Sequence, residues 1–419
     1  MKPALGVTEP AAIALACAAA GRLSEEQPET VAVQVNSGIF KNAFTCGIPN
    51  THKVGNEYAA ALGCWFGQPD KGLLVLDAVK EQDVQFCEEQ IAFGKVTVSM
   101  GEISSDILIH ARIATAHDVC EAEIRHSHTN VCYLRKNHKV LLDEREKEEE
   151  THTKESAFMG QMTLAQMFTF ASQALEAEIG FIQEAYTVNL NLAEAGLASD
   201  RCVFARELLK GNGGLKISAD AEKSSLALAA AAAKARVLGL NYPAMSITGS
   251  GNHGIISTMP LYAAAQSEGY SDLMLLRATA LSYLITMYIK QYSGILSALC
   301  GCGVAAGAGM ACGLTMLRGG DLAAVTRTLY NMTNSIVGMI CQGGNHGCVM
   351  KVISAVKTGF AAAALGLSGV QIESCHGIGG ETPEQTMRNI GLVANPGMTG
   401  TEETIVGIMS GKAQSLPSL

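Results

Sequence analysis

Gly294 to Leu314 reads GILSALCGCGVAAGAGMACGL, and Val337 to Val352 reads VGMICQGGNHGCVMKV. The first stretch lies inside Gln291 to Leu317, which carries no charge. Its length would span a bilayer. Its residues are mostly Gly, Ala, Ser and Cys rather than Leu, Ile or Phe, so it reads as a buried helix of a packed helical domain. The second stretch separates Cys341 from Cys348 by QGGNHG, a spacing longer than the common zinc pairs. Cys300, Cys341 and Cys348 thereby fall in an apolar, small-residue setting. Three soft thiolates around a Gly-rich turn suit an iron–sulfur cluster or a zinc ion. Small buried hydrophobes are the other reading of the same cysteines. Cys302 is expected to point away from Cys300, because residues two apart on a helix face nearly opposite sides.

Outward from this core, helical segments are expected over Leu164–Gly180, Ala185–Ala198, Ser224–Leu238, Ser271–Tyr292, Ser297–Arg318, Leu322–Met332, Cys348–Ala364, Pro383–Ala394 and Glu402–Lys412. Upstream, DEREKEEE (143–150) is the strongest composition shift and marks a domain boundary. Before it, Val31, Val33 and Val35 alternate as in a half-buried strand. KVTVSM, DILIHARIATA, EAEIRHSHTNVCYLRKN and KVLLD also read as strands, mostly antiparallel by their short connections. Tyr58–Phe66 and Gly72–Phe93 read as helices, and NSGIFKNAFTCGIPNTHKVGN as a loop. Thr8 is the expected N-cap of an Ala-rich first helix, with Glu9 in its first turn. The helix begins so near Met1 that a preceding helix is expected to be missing. The predicted fold class is α+β. A small mixed α/β domain with a mainly antiparallel sheet (22–146) joins a large all-α domain carrying the cluster site (150–419), with the 1–21 helix packed on the helical domain.

The 419 residues suffice for two or three domains with real cores. Charged residues are 16% and hydrophobic ones 48%, which implies extensive buried surface. A net charge of −9 argues against nucleic acid and anionic membranes as partners. Thirteen dispersed cysteines form no disulfide framework, and MKPALGVTEP is no signal peptide, so a reducing cytoplasm is expected.

KPALGVTEP, KNAFTCGIP, SHTN, GSGNHGI, LSALCGCGVAAGAGM and GMICQGGNHGCVMKV occur in this order. Together they resemble the L-cysteine desulfidase family (UPF0597), related to the α-chain of iron–sulfur L-serine dehydratases. The resemblance covers nearly the whole chain. It implies an oxygen-labile [4Fe–4S] cluster held by Cys300, Cys341 and Cys348. It also implies β-elimination of L-cysteine to pyruvate, ammonia and sulfide without pyridoxal phosphate. The partner is then a small amino-acid substrate; a homodimer is compatible with it. One position departs: the family's Gly-Cys-Thr-Glu-Pro is here Gly6-Val7-Thr8-Glu9-Pro10. L-serine dehydratase chemistry, a silent cluster or amino-acid-binding relative, and a structural zinc protein are the competing readings.

Other groups offer themselves. The Ser250-Gly251-Asn252-His253-Gly254 loop leads into a helix-like run, and its N–H groups suit a carboxylate. A ligand-free tight turn is the plainer alternative. By the resemblance, the Lys41–Asn42 loop reaches the site, where Lys41 would pair with the substrate carboxylate. Loop lysines are otherwise mostly solvated. His128, with Thr129 and Asn130, is expected to orient substrate or shuttle protons, although a lone strand histidine is more often structural. Glu9 is a helix-capping residue or a proton-transfer group. His346, between two cysteines, is a further candidate or a hydrogen-bond support for them.

Overall fold

The computed structural model describes residues 1–146 and 158–412. The end of the 143–150 charge run lies outside them. In the N-terminal half the sheet order is β3–β2–β4–β5–β6–β7, built from Thr30–Val35 (β2), Val96–Met100 (β3), Leu108–Ala114 (β4), Val119–Arg125 (β5), Val131–Lys136 (β6) and Lys139–Asp143 (β7). Only β2–β3 is parallel. Val31, Val33 and Val35 alternate inward, as the pattern predicts. EAEIRHSHTNVCYLRKN is two strands, and the SHTN segment is the turn between β5 and β6.

The first helix, α1 (Thr8–Gly21), is buried on almost every side, as its alanine content predicts. Its packing differs from expectation. It joins the core of the sheet with α3 (Asn56–Phe66), not the helical core. Its Ala and Ile side chains are small enough to lie flat on β4 and β5. The link to the helical half is instead β1 (Lys2–Leu5), which pairs antiparallel with β8 (Pro243–Ser246). The expected loop after β2 contains a helix, α2 (Ser37–Ala43), and Gly72–Phe93 is helical only over α4 (Glu81–Ala92) and a short 3-10 turn.

The C-terminal half is helical: α5 (Leu164–Gln173), α6 (Gln183–Ala198), α7 (Val203–Gly211), α8 (Ala221–Val237), α9 (Gly251–Glu268), α10 (Asp272–Ser293), α11 (Gly307–Leu317), α12 (Leu322–Ile336), α13 (Cys348–Leu367), α14 (Pro383–Ala394) and α15 (Thr399–Ser410). Ala-rich α8 is central, packed by α6, α7, α9 and α13. Its run of alanines is fully buried, because small side chains let several helices close on one another. The uncharged Gln291–Leu317 stretch is no single helix. It leaves helical geometry at Gly294, crosses a loop, and resumes as a π-helical turn at Cys302–Ala306 before α11. The fold is therefore α+β, with the site in the seam between the halves.

Candidate active site

Cys300 and Cys341 are brought together by an antiparallel bridge, Leu299 with Ile340. The Cys300 N–H donates to Met339 O at 2.9 Å and the Cys341 N–H to Ala298 O at 2.6 Å. Cys348 opens α13, and its thiol faces the Gly343 carbonyl at 3.5 Å. Between them Gly343 turns at φ 83°, where a Cβ would stand 2.2 Å from Lys41 O. The adjacent Gly344 N–H donates to Asn42 O at 3.1 Å. The glycine pair thus lays the cysteine loop directly on the backbone of α2.

Cys302 differs from expectation. Cys300 precedes the helix instead of lying on it, so the opposite-face rule does not apply. The neighbouring Cys302 thiol, with the Lys351 ammonium and the N–H groups of Cys302 and Gly303, draws Cys300 below the usual thiol range against its burial. Cys302 is pushed above that range by Cys300 and by burial. Burial pushes the Cys348 thiol up to about 11. Burial also opposes charge on Lys351, but the four neighbouring cysteines outweigh it and raise its pKa. Lys351 donates to Ile340 O at 2.8 Å.

The start of α1 reaches this cluster. Val7, not Thr8, is the N-cap. It is buried against Cys46 and Val237, with Cys348 packed alongside. Glu9 does not cap. Its Oε1 accepts from Asn42 Nδ2 at 2.8 Å and lies 3.7 Å from His128 Nε2. Thr8 Oγ1 stands 2.9 Å from both Glu9 Oε2 and the Gly249 carbonyl. Burial would raise the Glu9 pKa, but His128, Arg236 and Asn42 outweigh it and hold it at about 2. Asn42 also accepts from the Cys341 thiol at 3.8 Å, so one amide joins the carboxylate to the cysteine cluster. His128 is buried, its Nε2 without a hydrogen bond and its ring against Gly249.

The predicted Ser250–Gly254 loop is the N-terminus of α9, and Ser250 Oγ lies 4.0 Å from Cys302 Sγ. His253 Nδ1 is 2.6 Å from Thr248 Oγ1. Burial and the nearby Lys290 and Arg236 charges hold the His253 ring well below its ordinary pKa, hence neutral. Lys41 sits on α2, buried, donating to Ser297 O at 3.2 Å and paired with Glu402 of α15 at 2.5 Å. Its charge is already matched within the protein. Thr129 faces Gly72, and Asn130 Nδ2 donates to Arg125 O at 3.1 Å, closing the β5–β6 turn. Of the three, His128 is the one placed against Glu9 and Gly249. A cavity of about 380 Å³ is lined by Ser297, Ala298, Asn395 and Glu402 and by none of the four clustered thiols.

Two site residues escaped the sequence reading. Lys290, on α10, donates to Ile295 O at 3.0 Å; burial lowers its pKa to about 8 despite nearby thiolates. Arg236 ends α8 and is 3% exposed. Each sits on a helix that carries other charges as well, so no local pattern marked it in the sequence.

Do these residues suit an iron–sulfur cluster? No three His, Cys, Asp or Glu side chains among the described residues converge closely enough for one ion. A cubane holds its thiolates at separate corners and asks for a wider spacing. The four thiols share one electrostatic environment, and Lys290 and Lys351 face it. That spacing, with two lysines facing the thiols, is compatible with a thiolate-held anionic cluster.

Residues 71–407 match the family model described as serine dehydratase alpha chain. A UPF0597 protein of Clostridium botulinum (strain Okra / Type B1) is 37% identical over 98% of this chain and 96% of its own length. UPF0597 proteins of Alkaliphilus oremlandii and Methanocella arvoryzae are 34% and 33% identical, each over 97% of this chain and 95% of its own length.

Proposed function

Because the chain belongs to the serine dehydratase alpha-chain family, with UPF0597 proteins as relatives, we propose that it is a lyase eliminating sulfide from L-cysteine. The observation that carries this reading is the convergence of the cysteine cluster, the Glu9–His128 pair and the α9 N-terminus in one seam. Cys300, Cys341 and Cys348 would hold a [4Fe–4S] cluster. When bound, such a cluster supplies a Lewis acid for the departing sulfur.

The chain's own groups do the rest. The Gly251 and Asn252 N–H groups, free at the first turn of α9, receive the substrate carboxylate. His128 Nε2, unpartnered and buried, takes the Cα proton; Glu9, held ionised, stabilises the resulting imidazolium. The Cα–H electron pair forms the Cα=Cβ bond and the Cβ–S bond breaks. The released aminoacrylate adds water to give pyruvate and ammonia. Such chemistry suits a reducing cytoplasm.

The test is anaerobic release of pyruvate with sulfide from L-cysteine, against pyruvate alone from L-serine. Preference for L-serine would favour the second reading, a dehydratase, which the family model supports. Iron analysis tests the ligands. Cys300→Ser, Cys341→Ser and Cys348→Ser should each lose most of about four iron atoms per chain expected for a cubane. Cys312→Ser and Cys302→Ser should keep them. Loss of iron in Cys302→Ser would overturn the three-cysteine set.

A further inference from the structure

Arg236 has no place in the scheme above, yet its charge is buried. It lies in the last turn of α8 together with Lys234, which is also buried, among buried alanine and valine. Its side chain is 3% exposed and its Nε is fully enclosed without a hydrogen-bond partner. No hydrogen bond or ion pair of its guanidinium occurs among the described residues. It does not bond the last carbonyls of α8, the usual role of a basic residue at a helix C-terminus. Buried arginine is almost always paired, because its charge has lost water and gained nothing in return. An unpaired one therefore waits for an anion from outside.

Its surroundings say which anion. A Cβ placed on Gly251 would lie 2.5 Å from Arg236 Nε and 3.0 Å from its Cδ. The guanidinium stem thus runs against the first residue of α9, an 18-residue helix whose opening N–H groups are unpaired. The neighbouring Asn252 Oδ1 is also buried without a partner. Arg236 is felt by Glu9, Cys46 and His253, all on the walls of the seam. Glu9 itself is not within ion-pair distance; its oxygens are engaged by Asn42 and Thr8, with His128 beside them. Lys41, the cation expected to meet a substrate, is already paired with Glu402. Arg236 is a cation left with its charge unmatched, its stem against the first residue of that helix.

We propose that Arg236 is the carboxylate anchor of this site, its guanidinium and the α9 N-terminus together binding the α-carboxylate of a small amino acid. The planar fork matches a carboxylate in two parallel hydrogen bonds, and the helix end adds N–H groups and a favourable dipole. Selectivity follows: amides and decarboxylated analogues leave the guanidinium unpaired and are rejected. The proposal rests on the lyase reading for its substrate, but not for the existence of the anion site.

Calorimetric titration of the full, anaerobically purified chain tests it, with L-cysteine against L-cysteinamide and propionate against propionamide. Wild type should prefer each carboxylate over its amide by about thirtyfold or more, the effect of pairing a buried charge. Arg236→Gln should reduce the preference to near unity, by weaker carboxylate binding and by relief of the penalty on the amide. Arg236→Lys, which keeps the charge without the fork, should fall between and serves if the Gln variant fails to fold by circular dichroism. A preference retained in Arg236→Gln, or absent from wild type, overturns the anchor. Carboxylate binding that depends on Arg236 without pyruvate release from any amino acid sinks the lyase reading and leaves the anchor standing.

Discussion

Val7 sits where the resemblance places a cysteine, and the structure gives that position an apolar wall of Val7, Cys46 and Val237 beside Cys348. A branched hydrocarbon neither moves a proton nor binds iron. Val7→Cys should raise anaerobic sulfide release at least about tenfold at matched iron content, within the range for restoring an acid–base group. Equal, rapid turnover by both proteins would remove position 7 from the chemistry. Glu9 makes a second prediction. Its pKa falls from 4.5 to about 2, so its contribution is complete above pH 4.5 and lost as pH falls toward 2. The loss is on the order of 3 kcal/mol. Denaturation of wild type should weaken through that window, whereas Glu9→Gln should lack this component. Parallel pH profiles would show that Glu9 is not held ionised. At this scale the cysteine positions and Glu9 were visible in the sequence. Arg236 and Lys290 were not, because nothing local distinguishes a buried lone charge from a surface one.

Among the elements, α9 carries the most constraint. Its Gly254 packs on β8 so closely that a Cβ would lie 1.8 Å from Met245 O. Backbone cannot yield as a flexible side chain does. Gly254→Ala should therefore cost about 1–3 kcal/mol by thermal or denaturant unfolding. It should also weaken carboxylate binding, because the helix N-terminus would be displaced with it. Unchanged stability and binding would show that α9 has room to shift. The periodicity of the helices and strands made most elements legible. It failed at α2, where a stretch rich in Asn, Gly and Thr suggested a loop, and at Cys300. There the chain leaves helical geometry at Gly294 and regains it at Cys302, a break set by the Leu299–Ile340 bridge. No local propensity encodes that partner.

For the whole molecule, the seam matters. Lys41 of α2 and Glu402 of α15 form a buried ion pair across it, flanked by Leu296, which joins the sheet's core from the helical half. Removing one partner strands the other charge. Glu402→Ala should destabilise the protein by about 3–5 kcal/mol. A double substitution, Lys41→Met with Glu402→Met, should recover much of that loss if the pair is structural. No recovery would mean that Lys41 has a further role at the site.

Composition and periodicity were enough to determine an α+β chain with a helical, small-residue core, and the ordered motifs pointed to three cysteines near its end. These properties are local or additive along the chain, so they can be read without coordinates. The packing of α1 on the sheet, the meeting of Cys300 with Cys302, the matching of Lys41 by Glu402 and the isolation of Arg236 were decided only in the folded protein. Each depends on which distant backbone or charge stands within a few ångströms, and that is set by how the two halves close on one another.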